Sequence, residues 1–298
     1  MSDYSIRIIS DASEARRLWD LLSPHRTISD EWDFRWCFFR HHPECELHFV
    51  TAFSDQSPVA LLALQRNPAA LLEFMGGNFM EDNRVFAKPG HERAIPQLFE
   101  SLSSRTTLRC IIDDDDPFLS RLPFDSPVYV YDLRGIDALD TLIDRVFRSK
   151  AKANLRKKFR SIESLHPVIV ENSIEDIDRL AEYSIRTFGE ESSFVGDPAQ
   201  RDIFKDLCRS FRSFIHSYQI AGKTQAVSLS LIHDKTYLYL LSGSNNDEVP
   251  NLGNYLILNN IRTAIESGCA TFDAGRHDCN WKERWHLTKV EQRIFEKP

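Results

Sequence analysis

Side chains able to move a proton or hold an anion crowd the stretch FDAGRHDCNWKERW, Asp273, His277 and Lys282 among them. Asp273 ends a short apolar run, Ala270–Phe272, that reads as a strand. A carboxylate partly buried there titrates above its ordinary range and suits general acid or base work; the plainer use is to cap the following turn or to pair with Lys282. His277 titrates near neutrality and is a second candidate base, although a lone loop histidine is commonly inert. Lys282 suits a substrate carboxylate or phosphate as well as an ion pair. Arg276 is a further candidate anion contact, and Trp281 and Trp285 offer faces to a sugar ring unless they pack inward. Tyr239 is a candidate proton donor to a leaving group, though a strand aromatic is usually core.

A second chemistry is encoded just upstream. The turn Asn251, Leu252, Gly253, Asn254, Tyr255 opens a helix from Leu252 to about Glu266, with Leu252, Leu256, Leu258, Ile261 and Ile265 near helical spacing. Ser267-Gly268 ends it, because Gly relaxes in the left-handed position after a helix. The first backbone N–H groups of a helix have no partner within it, and the dipole there favours negative charge. The turn is therefore expected to hold an anion such as a pyrophosphate.

The elements that must position these groups follow from periodicity. Tyr4–Ile9 reads as a strand, Ala12–Leu22 as a helix behind Ser10-Asp11, and Glu31 to about His41 as a helix whose Trp32, Phe34, Trp36, Phe38 and Phe39 are expected in a core. A hairpin (47–53, 59–65), a strand (71–75), a helix (92–102) and strands at 106–112 and 128–133 complete the first half. Asn83, in the polar stretch 78–84, either lines a cleft or sits in a solvated loop. Asp113–Asp116 is better read as a helix cap than as a metal site, since adjacent carboxylates do not converge on one ion without a dedicated loop. After a helix (136–147), residues 145–160, a basic amphipathic helix broken or bent near Ser149, carry eight cations and no acid, Lys152 and Arg156 among them. That face is either solvated or meets an anionic partner such as CoA phosphates, tRNA or an anionic lipid carrier. The second half repeats the order of the first: strand 168–170, helices 173–188 and 198–211, strands 214–221, 225–232 and 236–242, the helix at Leu252, the strand at Ala270, and a closing strand 289–295. Glu190 and Glu191 lie between the two helices, as acceptor contacts or as solvated loop. An α/β (α+β) protein of two similar domains, 1–140 and 141–298, each a mixed sheet flanked by helices with a cleft between them, is the simplest architecture.

Composition narrows the classes. The 298 residues are 42% hydrophobic and 27% charged, with a net charge of −7 that argues against wholesale nucleic-acid binding. No apolar run approaches the ~20 residues of a membrane span, and the N-terminus has no signal-peptide pattern. The six scattered cysteines form no CxxC pair and read as reduced thiols, so a cytoplasmic protein without a metal is expected.

The element order and four segments, SKAKANLRKKFR, YQIAGKTQAVSLSLIHDKTYLYLLSG, SGSNNDEVPNLGNYLILNNIRTAIESG and FDAGRHDCNWKERW, together resemble the GNAT acyltransferase superfamily. Within it they look like the Fem-type and cellulose-biosynthesis-type acetyltransferases, which carry two tandem GNAT-like domains; the first half is similar more loosely, through FMGGNFMEDNRVF. The resemblance implies acyl-CoA (acetyl-CoA) bound at residues 251–255 and transfer to an amine or hydroxyl of a cell-envelope or polysaccharide precursor. Aminoacyl-tRNA as donor, and a binding protein that has lost catalysis, are the alternatives. The family's phosphate loop, Q/R-x-x-G-x-G/A, falls on Pro250, Gly253 and Tyr255, so only the middle Gly matches. Tyr255 leaves room for a pyrophosphate only if its ring points away.

Overall fold

In the computed structural model, which describes residues 4–103, 105–276 and 281–298, local signals set the early elements. Ser5–Ile9 (β1) leads through Asp11 into Ala12–Leu22 (α1), where the Asp11 carboxylate accepts the Glu14 N–H at 2.8 Å and satisfies one of the helix's open donors. Trp32–Phe39 (α2) is a core helix: Trp32 joins Trp19, Phe49 and Phe86 in one apolar cluster. Glu46–Ser54 (β2) and Ser57–Arg66 (β3) form the expected hairpin. Leu72–Phe74 (β4), Phe86–Ala87 (β5), Ala94–Glu100 (α3) and Thr106–Ile111 (β6) complete this half.

The chain continues through Val128–Asp132 (β7), Leu139–Val146 (α4), Ser149–Glu163 (α5), Val168–Glu171 (β8), Asp176–Phe188 (α6), Ser193–Gly196 (α7) and Gln200–Ser210 (α8). The meander Arg212–Ile220 (β9), Lys223–His233 (β10) and Thr236–Ser244 (β11) precedes Leu252–Glu266 (α9) and Thr271–Arg276 (β12). Thr288–Val290 (β13) and Arg293–Lys297 (β14) close the chain. It divides into two compact units, residues 1–128 with 290–298, and residues 129–289.

Each unit is built on a mixed sheet. The first has the order β1-β2-β3-β4-β6-β14, with β5 also on β3, and is antiparallel except where β4 meets β6 at Leu72/Thr106. The second has the order β13-β7-β12-β11-β10-β9-β8, with β11 and β12 parallel. One face of this second sheet is covered by α9, through a core of Tyr237, Tyr239, Phe272, Leu258 and Ile261; α6 and α8 pack on the sheet as well. A buried polar network fixes α9 in register. Asn260, 0% exposed, accepts from Ser230 Oγ at 3.0 Å and Tyr237 Oη at 2.7 Å, and donates to Ser228 Oγ and the Leu256 carbonyl, both at 2.9 Å.

Several elements differ from the sequence reading. The closing strand 289–295 is two strands in two sheets: β13 lies at one edge of the second, whereas β14 pairs with β6 in the first. Glu291 and Gln292 separate them, and Gln292, fully buried, donates to the Glu81 carbonyl at 2.5 Å. The basic segment, by contrast, breaks where the sequence expects: a separate helix starts at Ser149, after extended backbone at Phe147 and Arg148. Asp116 does cap the turn after Pro117, accepting from the N–H groups of Phe118 and Leu119 at 2.9 Å, while Asp114 pairs with Arg26 and Arg84. No helix among the described residues is long and apolar enough to cross a membrane.

Candidate active site

The feature that opens the second unit is a bulge. Between β10 and β11 the register runs Leu229/Leu241 and then Ser230/Tyr239, so Leu240 is an extra residue on β11. An extra residue falls outside the ladder and bends its strand. β11 pairs with β12 only at Thr236/Thr271, Tyr237/Phe272 and Leu238/Asp273. Beyond that point β11 carries its bulge and runs on to Ser244, while β12 runs on to Arg276. Two parallel strands thus part just after Asp273. The first unit treats the corresponding place differently. There the segment after β4 returns beside β6, and Asn83 forms a parallel bridge with Ile111 through hydrogen bonds to Cys110 O (2.9 Å) and from Ile112 N (2.8 Å).

The loop after β11 delivers α9. Asn251 precedes it with φ of 74°, a left-handed conformation that Asn tolerates better than most residues. The first amides of α9 are already engaged, contrary to the sequence expectation: Leu252 N–H reaches Val249 O at 3.3 Å, Asn254 N–H reaches Asn251 O at 3.1 Å, and Gly253 N–H donates to Asn246 Oδ1 at 3.2 Å. An anion at this turn must displace the exposed Asn246 amide. Tyr255 does not obstruct it. The ring turns toward α5, stacks on Phe159 with centroids 4.8 Å apart, and donates its hydroxyl to Glu163 at 2.6 Å. Leu252 is fully buried, so it serves the core beneath the turn.

Asp273 occupies the point where the strands part. By strand alternation it shares a face with Leu238, opposite Tyr237 and Phe272, and hence opposite α9. Its Oδ1 accepts the Gly275 N–H at 2.8 Å, and Gly275 has φ of 70°, which a glycine adopts without strain. Lys282 is 4% exposed, and its ammonium donates to the carbonyls of Gly275 (3.0 Å) and Arg276. It therefore satisfies the carbonyls at the end of β12. Arg276 is buried at the end of β12. His277 lies outside the described residues. Trp285 is a core residue, edge-on to Phe147, with its carbonyl accepting the Tyr131 hydroxyl. Trp281 packs on it from a half-buried position. Tyr239 is buried against Phe272, and loss of water raises its pKa well above the ordinary phenol range.

The remaining candidates are dispersed. Lys152 and Arg156 are held by carboxylates of α4: Lys152 Nζ to Asp144 at 2.9 Å, and Arg156 to Asp140 at 2.7 Å and Asp144 at 3.1 Å. Part of the cationic face is thereby neutralised within the unit, whereas Arg148, Lys150 and Lys157 stay exposed. Glu190 is exposed in the turn Gly189–Glu191 between α6 and α7, and Glu191 belongs to the same turn. Asn83 is 2% exposed in the first unit, where its amide donates to Met80 O and Arg109 O.

One group of polar residues carries no signal in the sequence. A polar hollow of about 420 Å³ lies between α6, the β9–β10 turn and the loop before α9. Arg179, Tyr183, Lys223, Gln225, Asn245 and Glu248 line it. Asn245 and Gln225 are joined at 3.0 Å and Gln225 reaches Glu248 at 3.2 Å. Asn245 directly precedes the Asn246 that caps Gly253. No motif announces these residues, because Arg179 and Lys223 look like ordinary surface cations until the fold places them together.

Residues 149–283 match the family described as an acetyltransferase (GNAT) domain. Among solved structures the chain is similar to FemX, at 11% identity and a TM-score of 0.64 over 98% of this chain and 96% of that one. It is also similar to a tandem GNAT protein from the clavulanic acid biosynthesis pathway, at 12% identity and a TM-score of 0.58 over 99% of both chains. A third is L-PGS from Bacillus licheniformis, at 11% identity and 0.59 over 96% and 91%. No curated protein sequence matches the chain. The family match therefore falls on the second unit: residues 149–283 match the acetyltransferase (GNAT) domain family, and the whole chain shares its fold with FemX and with the tandem GNAT protein.

Proposed function

We propose that the second unit transfers an acyl group from acyl-CoA, with acetyl-CoA the simplest case, to an amine or hydroxyl of a cell-envelope or polysaccharide precursor. The observation that carries this reading is the parting of β11 and β12 at a bulge, directly before a helix start. A thioester arm fits between parted strands, where the backbone beside the bulge is free to hold it and to stabilise a developing oxyanion. The pyrophosphate sits at the Gly253 turn after displacing Asn246, and Arg179 and Lys223 supply cations nearby. The description of the clavulanic-pathway protein names AcCoA for that protein, which supports the donor class. The acceptor class rests on the Fem-like resemblance.

In this reading the acceptor approaches from the sheet face that carries Asp273. Its nitrogen or oxygen attacks the thioester carbonyl, Asp273 takes the proton lost by the attacking atom, and the C–S bond breaks as the tetrahedral intermediate collapses. Tyr239 directly precedes the bulged residue and keeps its proton at neutral pH; it is the proposed donor to the leaving thiolate. The test is thiol release from acyl-CoAs with amine and hydroxyl acceptors. Asp273→Asn is expected to lower turnover by ~10²–10⁴-fold with an unchanged melting temperature. Undiminished turnover in that variant sinks the assignment of the base.

A further inference from the structure

Phe159 holds together a second pocket in the same unit, remote from the helix start. A cavity of about 450 Å³ lies between α4, α5 and the C-terminal half of α9. Its floor is apolar, formed by Ile143, Phe159, Leu258 and Ile265. Leu258 lies six residues beyond Leu252, so the cavity starts ~9 Å along the α9 axis from the proposed pyrophosphate turn. Tyr255, stacked on Phe159 and bonded to Glu163, stands between the two places.

The rim carries three guanidinium groups that differ in their engagement. Arg156 is taken up by Asp140 and Asp144, and so ties α5 to α4. Arg160 is exposed and donates only to the Arg156 carbonyl one turn back, at 3.3 Å. Arg262 lies over the Phe159 ring at 5.2 Å and donates to Asn259 Oδ1 at 3.2 Å. Among the described residues neither Arg160 nor Arg262 has a carboxylate partner. Three acids also line it: Asp140, already paired with Arg156, Asp137, which accepts from Thr141 at 2.8 Å, and the exposed Glu266, one turn beyond Arg262 on α9. The two arginines without a carboxylate partner among the described residues both adjoin Phe159, Arg160 in sequence and Arg262 over its ring. Guanidinium groups over an apolar floor favour a ligand with a phosphate or carboxylate head and a hydrophobic body.

We infer that this cavity is a second ligand site, separate from the acyl-CoA site, for an amphipathic anion whose head is bound by Arg160 and Arg262 and whose apolar body lies on Phe159, Leu258 and Ile265. It does not depend on the proposed transferase chemistry. Octyl phosphate is the probe, with inorganic phosphate and octyl glucoside as the head-only and neutral-body controls, each titrated calorimetrically against the full chain. Octyl phosphate is expected to bind at least tenfold more tightly than either control, and saturating CoA should leave that binding intact. The double substitution Arg160→Gln with Arg262→Gln should weaken it tenfold or more. Leu258→Trp, which fills the floor, should remove it while circular dichroism shows a folded protein; a Leu258→Met variant covers the case in which Trp prevents folding, and should retain binding. Loss of binding in the same arginine variant when vesicles carrying an anionic phospholipid are sedimented with the protein marks a membrane source of the ligand. Binding confined to the soluble ester marks a metabolite, and both support the site. Equal binding of octyl glucoside, undiminished binding in the arginine variant, or displacement by CoA overturns the inference. Failure of thiol release in the transferase assay would leave it standing.

Discussion

Burial decides what single side chains do here more than residue type does. Lys282 looked like an ion-pair partner or anion receptor and instead satisfies two carbonyls at the end of β12. Tyr239 is a weaker acid than an ordinary phenol because it has lost water. His216 on β9 is a third instance. It is 3% exposed, its Nδ1 has no hydrogen-bond partner, and Phe214 and Tyr218 flank its ring. Desolvation holds its pKa below the ordinary 6.5, against the smaller pull of Glu171. The unfolded chain therefore binds a proton that the native state refuses. Stability is full above the unfolded pKa and falls as pH drops from about 6.5 toward the lower native value. His216→Phe is expected to make the loss of melting temperature between pH 7 and 5 shallower, measured by calorimetry at fixed ionic strength. An identical slope in the variant removes His216 as its source. Asp273 depends on more than its own type. A carboxylate suggests chemistry, but its proposed use rests on the strands parting beside it.

At the scale of elements, α9 and the bulged β11 form the working assembly of the proposed transferase. α9 is anchored on the sheet by a polar residue, and Asn260 spends both ends of its amide on it. Such a network is valuable only when complete, since each buried group left unpaired costs about 1–3 kcal/mol. Asn260→Ala takes a partner from the Tyr237, Ser230 and Ser228 hydroxyls and from the Leu256 carbonyl, so a loss of roughly 3 kcal/mol is expected by urea unfolding. Activity should fall further than the folded fraction, because the Gly253 turn shifts with its helix. A variant as stable as the parent would show that packing alone positions α9. Gly268, with φ of 73°, ends the helix as the sequence implied; there the Cys269 N–H closes on the Ala264 carbonyl at 3.0 Å. The bulge had no such signal. Tyr237, Leu238, Tyr239 and Leu240 alternate cleanly in sequence, and only the partner strand's register makes Leu240 the extra residue.

For the whole molecule, the two units carry one element order and use it differently. The first fills the place beside β6 with Asn83 and ends its sheet with β14, drawn from the far end of the chain. Phe295 packs edge-on to Phe99 at 4.9 Å, and Gln292 is fully buried. Removing residues 291–298 should expose the β6 edge, speed proteolysis within residues 106–111 and promote association through the bare strand. Unchanged protection of β6 amides by hydrogen exchange would contradict that. The sequence by itself determined the helices, the hairpins, the duplicated order and the Gly253 and Gly268 turns, because periodicity, caps and turn chemistry are local. It singled out Asp273 on the same basis. Tertiary structure alone decided that Tyr255 turns to α5, that Lys152 and Arg156 are spent on α4, and that the last strand joins the first sheet. It likewise brought Arg179 and Lys223 to the loop before α9, and Arg160 and Arg262 to one cavity. Each of these is settled by partners far apart in sequence, through charge pairing, burial and strand register, and no single segment carries that information.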